Sequence, residues 1–217
     1  MSKSLETRLE EAFKELGITE NREKLVRANL ESLKGKDKQT YRHSVRVGLL
    51  GIKVAKYTHE DPEMMFLAGV YHDSGKLLAS PEILEKTNGF DEADMKEMKT
   101  HVVFGYRMLR GIEEIPNKVA EIIVRHHQYG EDPYPKSLPE LGQEFSNAEM
   151  VEIGYLSRLL ALIDFYDSAE NRRNDKFSED GRPKKLSPKE VKEVLLAASP
   201  DKKILIESLY KEKILGE

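Results

Sequence analysis

The segment PEMMFLAGVYHDSGKLLASPEILEK, residues 62–86, runs an apolar helix over 62–73 directly into His72-Asp73-Ser74-Gly75-Lys76. Gly75 can stop that helix, because glycine tolerates the left-handed geometry common at helix ends. Ser80-Pro81 then reads as an N-cap followed by proline at the first helical position, so a new helix starts there. Working outward, the helical period continues and no convincing strand alternation is found. Upstream, residues 4–16 and 20–34 read as charged amphipathic helices, broken by Gly17 and ended by Gly35. A longer helix covers about 38–58, with Val47, Leu50 and Val54 on one face. Downstream, Asp91 begins a helix to about 110, and Pro116 opens one that runs to about 128.

The pattern fails between Tyr129 and Gly142, where Gly130, Pro133, Pro135, Pro139 and Gly142 mark an irregular loop. A loop of this length in a helical domain is more often functional or mobile than idle. Residues 147–170 return to helix with a very apolar centre, and a charged stretch follows over 171–187. Ser187-Pro188-Lys189-Glu190 reads as a capping box ahead of two final helices. The expected fold class is all-α: a helical bundle over 37–217 with a short helical extension over 1–36.

The 217 residues hold 35 Lys plus Arg against 39 Asp plus Glu, a formal charge of −4. Charged residues reach 34%, yet 39% are hydrophobic, which excludes disorder. A pI near 6.0 argues against a partner such as long nucleic acid. The absence of cysteine excludes disulfides, thiolate zinc sites and cysteine nucleophiles. The first twenty residues lack the apolar core of a signal peptide, and no apolar run is long enough to suggest a membrane span. A soluble, cytoplasmic protein without membrane contact is expected.

Chemistry concentrates on histidines and aspartates. His43 lies on the apolar face of its helix, His72-Asp73 closes another, His101 sits above Gly105 and Met108, and His126-His127 ends the helix after Pro116. Asp164 follows five apolar residues, Leu159 to Ile163. A carboxylate in such a setting is disfavoured unless paired or bound to metal. Any one of these histidines taken singly is better read as a core or capping residue, which is the role assigned to His59. For the whole set, a metal centre gives a common cause. Imidazole and carboxylate without thiolate suit Fe, Mn, Zn and similar ions. A His-Asp doublet can also give one ligand to one ion and a carboxylate bridge to a second.

These residues carry a specific resemblance. HDSGK at 72–76, with His43 upstream and Asp164 downstream, resembles the HD superfamily of metal-dependent phosphohydrolases. HSVRVG from His43, HDSGKLLASPEILEKTNGF from His72, KTHVVFGYRML around His101, RHHQYGEDPYP from Arg125 and DFYDSAENRRNDK from Asp164 are similar to its HD-GYP branch, the cyclic di-GMP phosphodiesterases. The resemblance covers about 37–217. It implies a di-metal centre liganded by His43, His72, Asp73, His101, His126, His127 and Asp164, with Asp73 as the bridge. It implies Asp73 and Lys76 as catalytic residues, and Lys76, Asp167, Arg173 and Lys176 as substrate contacts. The ions implied are two divalent metals, Fe or Mn, with Zn, Ni, Co and Mg as alternatives.

Three departures shape the expectation. Gln39 stands where some members carry a glutamate for a third metal, so two metals are expected. The family's His-His-Glu is His126-His127-Gln128 here, and Pro133-Tyr134-Pro135 replaces Gly-Tyr-Pro in a loop one residue shorter. Proline fixes φ where glycine allowed unusual angles, so the loop should take a different shape. The implied activity is hydrolysis of a cyclic dinucleotide, cyclic di-GMP to pGpG or GMP, by attack of a metal-bridging hydroxide on phosphorus. The alternatives are another cyclic dinucleotide, a nucleotide monophosphate, or a catalytically weak nucleotide-sensing effector. Residues 1–36 read as packing onto the domain, with a protein partner or homodimer contact as the alternative.

Overall fold

The computed structural model describes residues 3–86, 89–130, 132–140, 143–172 and 184–216. In chain order the elements are α1 (Leu5–Leu16), α2 (Glu20–Lys36), α3 (Lys38–Thr58), α4 (Pro62–Tyr71), a 3₁₀ turn (Ser74–Leu78), α5 (Pro81–Glu85) and α6 (Glu92–Lys99). They continue with α7 (His101–Leu109), α8 (Asn117–Arg125), α9 (Asn147–Asn171), α10 (Pro188–Ala198), a second 3₁₀ turn (Pro200–Lys202) and α11 (Lys203–Lys211). The fold is all-α, as expected, and no helix among the described residues is long and apolar enough to cross a membrane.

Side-chain caps start the helices where the sequence supplies them. Ser4 and Thr19 accept from the amides of Thr7 and Arg22, and Ser146 and Ser187 each form a full capping box with the glutamate three residues on. Four boundaries differ from the sequence pattern. Gly35 does not end α2, which reaches Lys36; Asp37 both closes α2 and caps α3 through bonds to Gln39 N and Thr40 N. The helix expected over 91–110 breaks at Thr100. The hydroxyl of Thr100 donates to the Glu97 carbonyl (2.6 Å) and His101 Nδ1 lies 2.6 Å from the Met98 carbonyl, so side chains take acceptors that a continuing helix would use. Likewise α8 stops at Arg125 and α4 at Tyr71, short of the expected 128 and 73.

The core lies between α3, α4, α8 and α9. Leu156, Leu159, Leu160, Leu162 and Ile163 of α9 are wholly buried against it. Helices α1 and α2 join this same core: Leu9, Phe13, Val26, Leu30 and Leu33 are buried, and the Phe13 ring meets Phe66 of α4 edge-on at 5.8 Å. Asn29 of α2 donates to the carbonyl of Val70 (3.4 Å), just ahead of the His-Asp turn. By contrast, α6 buries no residue; it is tied by Lys86–Asp94, by Ser80 N donating to Glu97 (2.8 Å) and by Lys99–Asp132.

Two close approaches need glycine. At Gly69 on α4, an added Cβ would lie 2.6 Å from the Cα of Gly48 on α3, so the two helices touch backbone to backbone. Gly75 is not a left-handed helix stop. It lies inside the 3₁₀ turn, where a Cβ would overlap the carbonyl oxygen of His101 and approach Gly105 N at 2.7 Å. Backbone atoms cannot yield as a flexible side chain can, so Gly75→Ala should cost about 1–3 kcal/mol or more. Gly154→Ala on α9, with nothing within 4 Å of the new Cβ, should be neutral or stabilise by about 0.5–1 kcal/mol. Urea unfolding of both variants checks the contrast.

Candidate metal centre

Six histidine and aspartate side chains from α3, α4 and its following turn, α7, α8 and α9 converge with His127 on one small volume. His43, His72, Asp73, His101 and His126 are buried, while Asp164 and His127 keep 14% and 28% of their side chains exposed. Ligand-capable atoms within 4.8 Å of one another form three overlapping groups: His43, His72 and Asp73; His101, His126 and His127; and His72, His126 and Asp164.

Three of the imidazoles are oriented in the same way. The Nδ1 atoms of His72, His101 and His126 lie 2.8, 2.6 and 2.5 Å from the carbonyls of Gly69, Met98 and Ile123, each three residues back. A carbonyl only accepts, so each Nδ1 carries the proton and each Nε2 presents a lone pair to the centre. The Nε2 atoms of His101 and His126 are buried without any hydrogen-bond partner. Buried polar atoms in folded proteins are nearly always satisfied, and two orphaned lone pairs facing one cluster fit a metal ion.

The carboxylates sit between the histidine groups. One oxygen of Asp73 lies 3.5 Å from His101 Nε2, while the other lies 3.4 Å from His72 Nε2 and 3.8 Å from His43 Nε2. Asp164 repeats the arrangement: Oδ1 is 2.9 Å from His43 Nε2 and 3.7 Å from His72 Nε2, and Oδ2 is 4.0 Å from His127 Nε2. Lys76 Nζ donates to Asp73 Oδ2 at 2.7 Å. Burial alone would raise both carboxyl pKa values. The histidines around them, with Lys76 beside Asp73, instead hold both well below the usual range.

Asp167, implied as a substrate contact, is held by the protein's own side chains. It is buried, and each oxygen takes two hydrogen bonds: Oδ2 from His43 Nδ1 (2.7 Å) and Arg46 (2.8 Å), Oδ1 from Arg46 Nε (2.7 Å) and Asn171 (3.1 Å). One of these four bonds orients His43; two come from Arg46 and one from Asn171. Nothing in the sequence pattern sets Arg46 apart, although it lies one turn from His43 on the same helix. Arg173 and Lys176 lie outside the described residues. Gln39 is exposed in the first turn of α3.

The loop after α8 folds back over the histidines. Tyr134 stacks on His127 with centroids 4.5 Å apart and planes 24° apart, and its amide donates to the His127 carbonyl at 3.2 Å. The sequence pattern marks this segment only by an aromatic between two prolines, which does not reveal the stack.

Known proteins are consistent with this geometry. A family model described as "HD domain" matches residues 40–172. The cyclic di-GMP phosphodiesterase PA4108 of Pseudomonas aeruginosa is 30% identical over 149 residues, 67% of this chain and 34% of that protein. A cyclic di-GMP phosphodiesterase of Thermotoga maritima is 30% identical over 144 residues, 64% of this chain and 36% of that one. This chain thus spans about a third of the length of these relatives. Among solved structures, the HD domain of the Listeria monocytogenes phosphodiesterase PgpH aligns with a TM-score of 0.55 at 16% identity, covering 84% of this chain and 86% of that one. At that identity the likeness speaks for the fold.

The buried histidines set the acid response of the metal-free chain. Burial pushes His72 down to about 4 and His101 to about 3 from an ordinary 6.5, and lowers His126 and His127 as well. As pH falls below about 6.5 the unfolded chain takes up protons that these folded residues refuse, so stability is lost. His43 acts oppositely. Burial and Arg172 lower its pKa, the carboxylates of Asp164 and Asp167 outweigh them, and its contribution is fully present at acid pH and lost as pH rises through the folded value. Four groups against one predict a falling melting temperature from about pH 7 to about pH 5 in the presence of chelator. His101→Gln should flatten that slope, as read by circular dichroism.

Proposed function

This chain belongs to the HD-domain family, and from that premise we propose that it is a metal-dependent phosphodiesterase acting on a cyclic dinucleotide, cyclic di-GMP first among them. One observation carries the proposal: Asp73 and Asp164 each turn one oxygen toward the His43/His72 side and the other toward His101 or His127. Two carboxylates disposed in this way suit a pair of ions better than one. His43, His72, His101, His126, His127, Asp73 and Asp164 would hold them, with Asp73 as the bridge. Fe(II) or Mn(II) are the ions proposed, and the donor set also suits Zn, Ni or Co. Divalent ions there would supply Lewis acidity and make water ionisable at neutral pH, the requirements for phosphodiester hydrolysis.

The chain's own side chains do the rest. The Nδ1–carbonyl bonds keep three imidazoles neutral and correctly turned before any ion arrives. Asp167 turns His43 by accepting from its Nδ1, and is proposed as a positioning residue rather than a substrate contact. Lys76, 12% exposed and paired with Asp73, would meet the negative charge that grows on the phosphate oxygens. Arg173 and Lys176 remain the proposed phosphate contacts; arginine suits a bidentate grip.

The curated relatives from P. aeruginosa and T. maritima are named for cyclic di-GMP, whereas a PgpH HD-domain structure is in complex with cyclic-di-AMP. Both dinucleotides therefore belong in the assay. Protein loaded anaerobically with Fe(II) or Mn(II) should convert one of them to a linear dinucleotide or mononucleotide, resolved by ion-exchange chromatography. Asp73→Ala should abolish the product, and Lys76→Ala should lower the rate about 10²–10³-fold. A protein that binds two ions and the dinucleotide without turnover would overturn the enzymatic reading in favour of a nucleotide-sensing effector. Asp167→Asn should weaken metal binding about 10–100-fold while leaving the other ligands in place, read by calorimetric titration.

A further inference from the structure

Gln128 directly follows the histidine pair His126-His127, and its amide has a definite partner. Nε2 donates to the carbonyl of Pro135 at 2.7 Å. Only a donor can serve there. A carbonyl has lone pairs and no proton, and an ionised carboxylate in the same place would set acceptor against acceptor. The bond closes the short segment between α8 and Pro135. Inside that closure the Tyr134 amide donates to the His127 carbonyl, and the tyrosine ring lies on the His127 imidazole. The ring also meets His101 edge-on at 6.1 Å, and the Lys99 ammonium sits 5.6 Å from its centroid while pairing with Asp132 in the same loop.

His127 needs such a clamp. It is the most exposed histidine of the cluster, with 28% of its side chain open. Unlike His72, His101 and His126, it has no Nδ1–carbonyl bond among the described residues to set its ring plane. His126 and His101 meet its ring at an angle, with centroids 3.9 and 5.3 Å away, and the Tyr134 ring is the one that lies stacked on its face.

We infer that Gln128 latches the Pro133-Tyr134-Pro135 segment so that the Tyr134 ring seats His127 for its role in the cluster, making both positioning residues. The latch stands on geometry alone; its consequence for metal binding rests on the di-metal reading above. The amide of Gln128 and the proline-flanked tyrosine then belong together: the one holds the other down.

The test uses the full chain and two readouts other than turnover. In metal-free protein, amide exchange of Tyr134 followed by NMR should accelerate about tenfold in Gln128→Met, which keeps the side-chain length and removes the donor. In a Co(II) titration followed by visible absorption, the weaker equivalent should lose about tenfold in affinity in Gln128→Met and in Tyr134→Ala, with the tighter one unchanged. Tyr134→Phe keeps the stack and should titrate as the unmodified protein. Unchanged Tyr134 exchange in Gln128→Met overturns the latch. Faster exchange with unchanged Co(II) affinity overturns the seating of His127, as does a Tyr134→Ala protein that titrates normally; this last variant decides the matter if Gln128→Met does not fold. An unmodified chain that takes up one Co(II) only defeats the di-metal reading, and the exchange experiment still judges the latch.

Discussion

Asp73 is charged and almost wholly enclosed, and Asp164 nearly so. An ion in that situation costs several kcal/mol unless partners compensate it. Much of the surrounding structure can be understood as the compensation. Lys76 bonds Asp73 from the next turn; His43 bonds Asp164; His72, His101 and His127 stand within about 4 Å of one carboxylate or the other, and His126 within 4.8 Å of Asp164. Compensation by histidine is incomplete in a particular way. Three of the rings are neutral donors only at Nδ1, which they spend on backbone carbonyls, so their inward-facing nitrogens offer lone pairs to carboxylates that also offer lone pairs. Acceptors facing acceptors is a frustrated arrangement for a metal-free protein and a satisfied one around cations.

That requirement dictates how the helices end. His72 and His126 fall just past the last residue of α4 and α8, and His101 is the first residue of α7. At each point a carbonyl three residues back is free of the regular ladder, because a helix terminus leaves carbonyls without intrahelical partners. The breaks that shorten α4 and α8 and divide 91–110 at Thr100 therefore supply the acceptors that orient these three imidazoles. Gly75 completes the geometry, since the turn bearing Asp73 can reach Asp73–His101 distance only by laying backbone on backbone against α7.

Much of this was legible in the sequence. The apolar runs and the caps at Ser146 and Ser187 give the helices, and the spacing of histidines and aspartates gives the cluster. What escaped was whatever depends on where backbone groups lie in space. A periodic pattern over 91–110 cannot reveal that Thr100 and His101 will claim two carbonyls of the preceding turn. Gly75 has the look of a helix stop in one dimension and proves to be a contact point in three. Asp167 shares a helix face with Asp164 one turn away, so spacing alone could not separate a residue that faces the centre from one that braces His43 from behind. Arg46 decides between them, by occupying both oxygens of Asp167 from another helix.

The pairing of Gln128 with Pro135 bears on how a departure from a family pattern should be read. Loss of an acidic side chain next to a metal cluster, taken alone, suggests decay of the site. Loss of the glycine from a neighbouring motif suggests the same. Taken together in space they point the other way, because a proline-flanked segment has fewer backbone donors of its own and a rigid path, and needs an outside donor to be held. The amide provides it, at a carbonyl an acid would repel. The exposed histidine is the one that lies beneath the tyrosine so secured, and the buried histidines, already fixed by their carbonyls, need no such help. Each imidazole of the cluster apart from His127 is held through its own Nδ1, by backbone or by Asp167; His127 is held through its face, and that makes its environment the place where the sequence could change while the other side chains of the cluster stayed as they were.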